Sequence, residues 1–136
     1  MNQNRSQQNR WQQRLNSFNR AQEQLEEFIN KGKLNKFEIQ GLIQCFEYNY
    51  EIGWKLLKDY LEYQGSNNIT GARSSINESF KLSIIEDGQG WLEMMIARNK
   101  SSHTYNIDTT NEISEQIYNK FYPLLQSLKE KFNNLS

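Results

Sequence analysis

From Trp11 onward apolar side chains return every three or four residues: Trp11, Leu15, Phe18, Leu25 and Ile29, with Gln22 filling one turn. That spacing lines one face of an α-helix. Gly32, in N-K-G-K, is placed to end it as a cap glycine. A second helix is predicted to open at Asn35, whose side chain can cap it while Glu38 reaches back. Its stripe runs through Ile39, Ile43, Phe46, Tyr50, Trp54, Leu57 and Leu61, widened by Phe37, Leu42 and Tyr60. A helix apolar over so much of its girth sits centrally and touches several neighbours. It is expected to run to Gln64 and stop at Gly65, before the loop S-N-N-I-T-G at 66–71.

A shorter helix over about 72–85 carries Ile76, Phe80 and Ile84, and Asp87-Gly88 breaks it. Trp91, Met94, Met95 and Ala97 then mark another short helix leading to Arg98. Thr109, with Glu112 three residues later, reads as a second capping box. It opens a last helix with Ile113, Ile117, Phe121, Leu124, Leu128 and Phe132 inward, kinked by Pro123. No stretch alternates as a strand does. Three long and two short helices predict an all-α fold, an antiparallel helical bundle.

Composition narrows the picture. A chain of 136 residues fits one domain, which at this length buries roughly two-thirds of its unfolded surface. Residues 1–9 (MNQNRSQQN) lack apolar periodicity and are expected to form a flexible polar N-terminus, leaving 10–136 as a single helical-bundle domain. Sixteen basic and sixteen acidic residues cancel, so no global field draws in nucleic acid or membrane. Locally Arg5, Arg10, Arg14 and Arg20 precede the first acid, Glu23, a cluster that reads first as a solvated basic helix face and second as a contact for a partner or RNA. The lone Cys45 excludes an intramolecular disulfide, suits a reducing cytoplasm, and fits a small core position. One cysteine and one histidine cannot build a tetrahedral zinc site within a single chain. No segment is long and apolar enough to span a bilayer, and no signal peptide is read.

Candidate chemistry lies in R-N-K-S-S-H-T-Y, residues 98–105, which holds the only histidine. On one unbroken helix, Arg98 and His103 would stand about 140° apart beyond a full turn. K-S-S is a poor helix interior and a good helix end. With a break there, both side chains can face one pocket. Arg98 falls seven residues after Trp91, on the packed face, and needs a partner. Glu47, Glu51 or a bound phosphate can serve. The reaction suited to this set is phosphodiester cleavage in RNA. An imidazole takes the proton of a ribose 2′-hydroxyl, and a guanidinium holds the oxygens of the transition state. The scheme requires no metal and no cofactor. One histidine cannot be base and acid at once, so a catalytic site would be composite, with a homodimer supplying the second.

Arg98, Asn99, three further residues, His103, one residue and Tyr105 resemble the Arg-x4-His-x-Tyr signature of HEPN domains, in their HepT-like branch. R-W-Q-Q-R-L-N-S-F (10–18), F-E-Y-N-Y-E-I-G-W-K-L-L-K-D-Y-L-E-Y-Q-G (46–65) and I-E-D-G-Q-G-W-L-E-M-M-I-A-R-N (85–99) are similar to blocks of that family, in its order. The resemblance implies a helical bundle that dimerises with its motifs facing and pairs with a small nucleotidyltransferase encoded nearby. It implies a toxin of a toxin–antitoxin pair that cleaves RNA. Arg98 and His103 would be catalytic, Asn99, Glu47 and Glu51 supporting, and Tyr105 the residue to which the partner transfers AMP. The same family includes nucleotidyltransferase substrate-binding subunits, which implies an alternative: presenting a substrate to the partner's active site, with no chemistry in this chain. In one respect the chain departs from its relatives, with Cys45 standing where many carry an arginine.

Overall fold

The Asn35 side chain accepts the backbone N–H of Glu38 at 2.9 Å, and the Glu38 carboxylate accepts the N–H of Asn35 at 2.9 Å. This reciprocal cap opens the central helix of the computed structural model, which describes residues 2–103 and 106–136. The elements are α1 (Asn2–Lys31), α2 (Lys36–Tyr63), α3 (Ala72–Lys81), α4 (Gly88–His103), α5 (Ile107–Gln116), a π-turn (Ile117–Phe121) and α6 (Tyr122–Leu135). No strand occurs among the described residues, and the bundle is all-α as the spacing predicts. Gly32 and Gly65 take φ of +90° and +96° after α1 and α2, a conformation in which a Cβ is disfavoured.

Helix α2 touches α1, α3, α4, α5 and α6, which is the physical meaning of its wide apolar girth. Phe18, Leu25, Leu42, Phe46, Leu56, Leu57, Phe121 and Phe132 are fully buried around it. Phe46 stacks on Phe121 at 5.2 Å, and Trp11 meets Tyr60 edge-on at 5.2 Å. Gln22, the polar break in the first stripe, is buried opposite Asn49. Gln22 Nε2 donates to Asn49 Oδ1, and the Asn49 amide donates to the carbonyls of Ala21 and Cys45. This clamp ties α1 to α2 because a buried amide must find partners for all its polar atoms.

Several expectations are corrected. The helix of α1 extends back to Asn2, through a stretch read as lacking regular structure, although residues 4–6, 9 and 10 remain exposed. Phe37 and Phe80, expected against the core, are 77 % and 53 % exposed. The third helix ends at Lys81, short of Ile84. Trp54 is only half-buried, since the α2 face it occupies turns toward α3 and α4. The cap of α5 is Asn106, whose side chain accepts from Thr109 N–H at 2.9 Å; Thr109 itself is buried. Pro123 is expected to kink the last helix, and the regular α-helix is indeed interrupted just before it. Preceding it is a π-turn, in which the Tyr122 N–H reaches Ile117, five residues back. The wider turn advances the register, so Leu125 rather than Leu124 is fully buried. No described helix is long and apolar enough to cross a membrane.

The basic N-terminal stretch is partly neutralised by α2. Arg14 Nε donates to the buried Asp59 at 2.9 Å, and Arg10 stands 4.0 Å from Glu62. Burial pushes the Cys45 thiol up to about 11, so Cys45 behaves as the small apolar residue its surroundings suggest.

In urea denaturation, Trp91→Ala is expected to lower stability by about 3–5 kcal/mol, because the indole is 2 % exposed. Trp54→Ala is expected to cost clearly less. In the same measurement Asn49→Ala should cost about 1–3 kcal/mol, since it strands Gln22 and two carbonyls.

Candidate functional site

The end of α4 is held against α2 by two carboxylates one helical turn apart. Glu47 and Glu51 project from the same face of α2. Arg98 Nε lies 2.9 Å from Glu51 Oε1. That N–H is not aimed along a hydrogen-bond line, so the contact is a charge pairing. Glu51 Oε2 in turn accepts the indole N–H of Trp54 at 3.1 Å. One carboxylate therefore orients both the guanidinium and the indole.

Glu47 accepts hydrogen bonds from the hydroxyls of Ser101 and Ser102. Those hydroxyls also contact the Arg98 carbonyl, at 2.9 and 3.1 Å. Arg98 Nη1 donates to Ser102 Oγ at 2.7 Å. This network explains why K-S-S does not end the helix, as its propensity predicts. Serine hydroxyls that would otherwise compete with the backbone are engaged by Glu47 and by the preceding turn. Helix α4 therefore continues through His103.

The consequence is geometric. Arg98 and His103 leave one continuous helix about 140° apart and roughly 7.5 Å along its axis. Arg98 faces α2 and is half-buried; His103 is exposed, without a hydrogen-bond partner among the described residues. The expectation that a helix break turns both into one pocket is corrected: within one subunit the helix keeps them apart. Asn99 is exposed and borders the hollow that Trp54 lines. Tyr105 lies outside the described residues.

Ser101 and Ser102 were not singled out from the sequence. Ser102 stands four residues after Arg98, a neighbour on any unbroken helix, so the signal was there once the helix is allowed to continue. Further contacts fix α4 to the C-terminal helices. Lys120 pairs with Glu93, and Lys100 lies 3.5 Å from Glu112.

Residues 13–134 match the family described as nucleotidyltransferase substrate binding protein like. The sequence is also 30 % identical over 83 residues to a protein from Haemophilus influenzae described as a probable ribonuclease HepT, an alignment that takes in 58 % of this chain and 57 % of that protein. The chain thus spans a little over half the length of that curated relative. The family description ties such chains to a nucleotidyltransferase, and the helical architecture agrees with the one the resemblance implies. With a match over almost its whole length, the chain belongs to the HepT-like family of nucleotidyltransferase substrate-binding proteins.

Proposed function

We propose that this protein is the HEPN-type partner of a small nucleotidyltransferase and acts as an RNA-cleaving toxin, silenced by AMP transfer to Tyr105. The observation that carries the reading is the last turn of α4, where Glu51 and Ser102 orient the Arg98 guanidinium while His103 stands exposed at the helix end. A second copy related by a twofold axis would bring two such ends together and supply a second imidazole.

In that cleft one His103 removes the proton of a ribose 2′-hydroxyl, and the resulting oxygen attacks the adjacent phosphorus. The bond to the 5′-oxygen breaks, and the leaving oxygen takes its proton from the imidazolium of the other copy. The products are a 2′,3′-cyclic phosphate and a 5′-hydroxyl. Arg98 balances the charge that builds on the phosphorane oxygens. Silencing follows from the same electrostatics. The Tyr105 oxygen attacks the α-phosphorus of ATP, pyrophosphate leaves, and a bulky anion then occupies the space an RNA phosphate needs.

One feature favours the alternative, a non-catalytic substrate-binding subunit. The Arg98 charge is already paired with Glu51, and Arg98 diverges from His103 around the helix. Such a subunit would use the half-buried Trp54 and its surroundings to present a substrate.

Expressed alone, the protein is expected to slow growth and to fragment cellular RNA. Arg98→Ala and His103→Ala should each lower cleavage by about 10²-fold or more and restore growth; toxicity indifferent to both substitutions eliminates the ribonuclease. Incubated with its nucleotidyltransferase and ATP, the protein should gain the mass of one AMP, and Tyr105→Phe should not. An unmodified wild-type protein selects the substrate-binding subunit.

A further inference from the structure

Beside the Arg98–Glu51 pair, α2, the start of α3 and α4 enclose a hollow of about 360 Å³. Tyr50 and Trp54 form its α2 side, Gly71 and Arg73 its α3 side, and Met95 and Asn99 its α4 side. A volume near the lower end of small-ligand sites suits one nucleotide-sized group rather than an extended molecule.

Unspent hydrogen-bond donors meet here from two directions. The cap residue of α3 is Gly71, which has no side chain to offer the first turn. Ser74 spends its hydroxyl on the amides of Thr70 and Gly71. The amides of Ala72 and Arg73 are left without partners among the described residues. They open a ten-residue helix whose dipole places partial positive charge at the hollow. Tyr50 lines the same hollow, is 2 % exposed, and its buried hydroxyl has no hydrogen-bond partner. A hydroxyl in that position is costly unless something accepts from it.

Charge points the same way. Arg73 is exposed and has no acidic partner among the described residues. Glu51 also borders the hollow, but its charge is matched by Arg98. Burial, with Glu51 beside it, pushes the Tyr50 phenol above its ordinary pKa, while Arg98 and Arg73 pull the other way. The phenol therefore stays a protonated donor within reach of both arginine fields. Trp54 adds an indole that is half-exposed and fixed by its bond to Glu51.

We propose that this hollow is a nucleotide subsite, taking a phosphate between the α3 amides, Arg73 and the Tyr50 hydroxyl, and a base against Trp54. The inference rests on the ribonuclease reading above and deepens it: the subsite would hold a nucleotide neighbouring the phosphate that Arg98 engages. The same chemistry fits a free mononucleotide.

The test is isothermal titration calorimetry on the full chain with four probes: AMP, adenosine, inorganic phosphate, and a single-stranded RNA hexamer with 2′-O-methyl groups that block cleavage. AMP or the hexamer should bind about tenfold or more tighter than phosphate or adenosine, because stacking and phosphate contacts combine. Arg73→Glu and Trp54→Leu should each weaken that binding about tenfold or more, and Tyr50→Phe severalfold. Thermal melting of Arg73→Glu should match wild type, since the side chain is exposed. Hexamer binding without AMP binding assigns the subsite to the RNA chain; AMP binding alone assigns it to a mononucleotide. The proposal is overturned if folded Arg73→Glu and Trp54→Leu bind as wild type does, or if wild type binds neither AMP nor hexamer. Binding that responds to Arg73→Glu in a protein that cleaves no RNA keeps the subsite and removes the ribonuclease. Cleavage and binding both untouched by Arg73→Glu do the reverse.

Discussion

Trp91 lies against the bare backbone of Gly53, and everything at the polar end of the bundle depends on how near that contact lets α4 come to α2. A Cβ at Gly53 would stand 3.1 Å from the Trp91 ring and 3.4 Å from Phe18. A side chain there would require the indole to give way by a few tenths of an ångström. Because the indole seats flush, the next two turns of α4 run alongside Glu51 and Glu47. Arg98 then meets a carboxylate at 2.9 Å instead of solvent. A packing contact between an aromatic and a glycine thus sets the position of a charged site two turns away.

Electrostatics explain how a chain with no net charge can still leave hydrogen-bond donors locally unmatched by acids. Most acids in the interior-facing positions are already committed: Asp59 to Arg14, Glu51 to Arg98, Glu93 to Lys120. Where the counter-charge is spent, neighbouring donors carry the local field. The first turn of α3 and Arg73 stand in that situation, whereas Arg98 does not. Any anion reaching Arg98 would have to share it with Glu51. Since the pair is half-exposed and its contact weak, worth at most about 1 kcal/mol, such sharing is not prohibitive. The Glu51 carboxylate contacts both the guanidinium and the Trp54 indole and so holds the two in fixed relation.

The helices were legible because burial on one face imposes a period that few other forces imitate. Leu15, Phe18 and Leu25 in α1, or Phe46, Tyr50, Leu57 and Leu61 in α2, are buried as the spacing required. Errors came where local chemistry has two solutions. Thr109 followed by Glu112 is a fair cap on paper, yet Asn106 supplies the cap. Lys100-Ser101-Ser102 is a fair helix end, yet Glu47, 54 and 55 positions from the two serines and on another helix, recruits the hydroxyls and the helix goes on. Phe37 and Phe80 show the opposite limit, since an apolar residue in the first or last turn of a helix has no obligation to be covered.

By itself the sequence determined the all-α class, the central place of α2, the stops at Gly32 and Gly65, the family, and the candidate set of Arg98 and His103. Each of these rests on spacing along one chain or on residue type, which no folding step can alter. The tertiary structure alone decided that Glu51 rather than Glu47 pairs with Arg98, and that Trp54 faces a hollow with Arg73 and Asn99. It also decided that Arg98 and His103 diverge on an unbroken helix. Those outcomes depend on the angular register and closeness of helices far apart in the chain, quantities fixed only when the core closes around contacts such as Trp91 on Gly53.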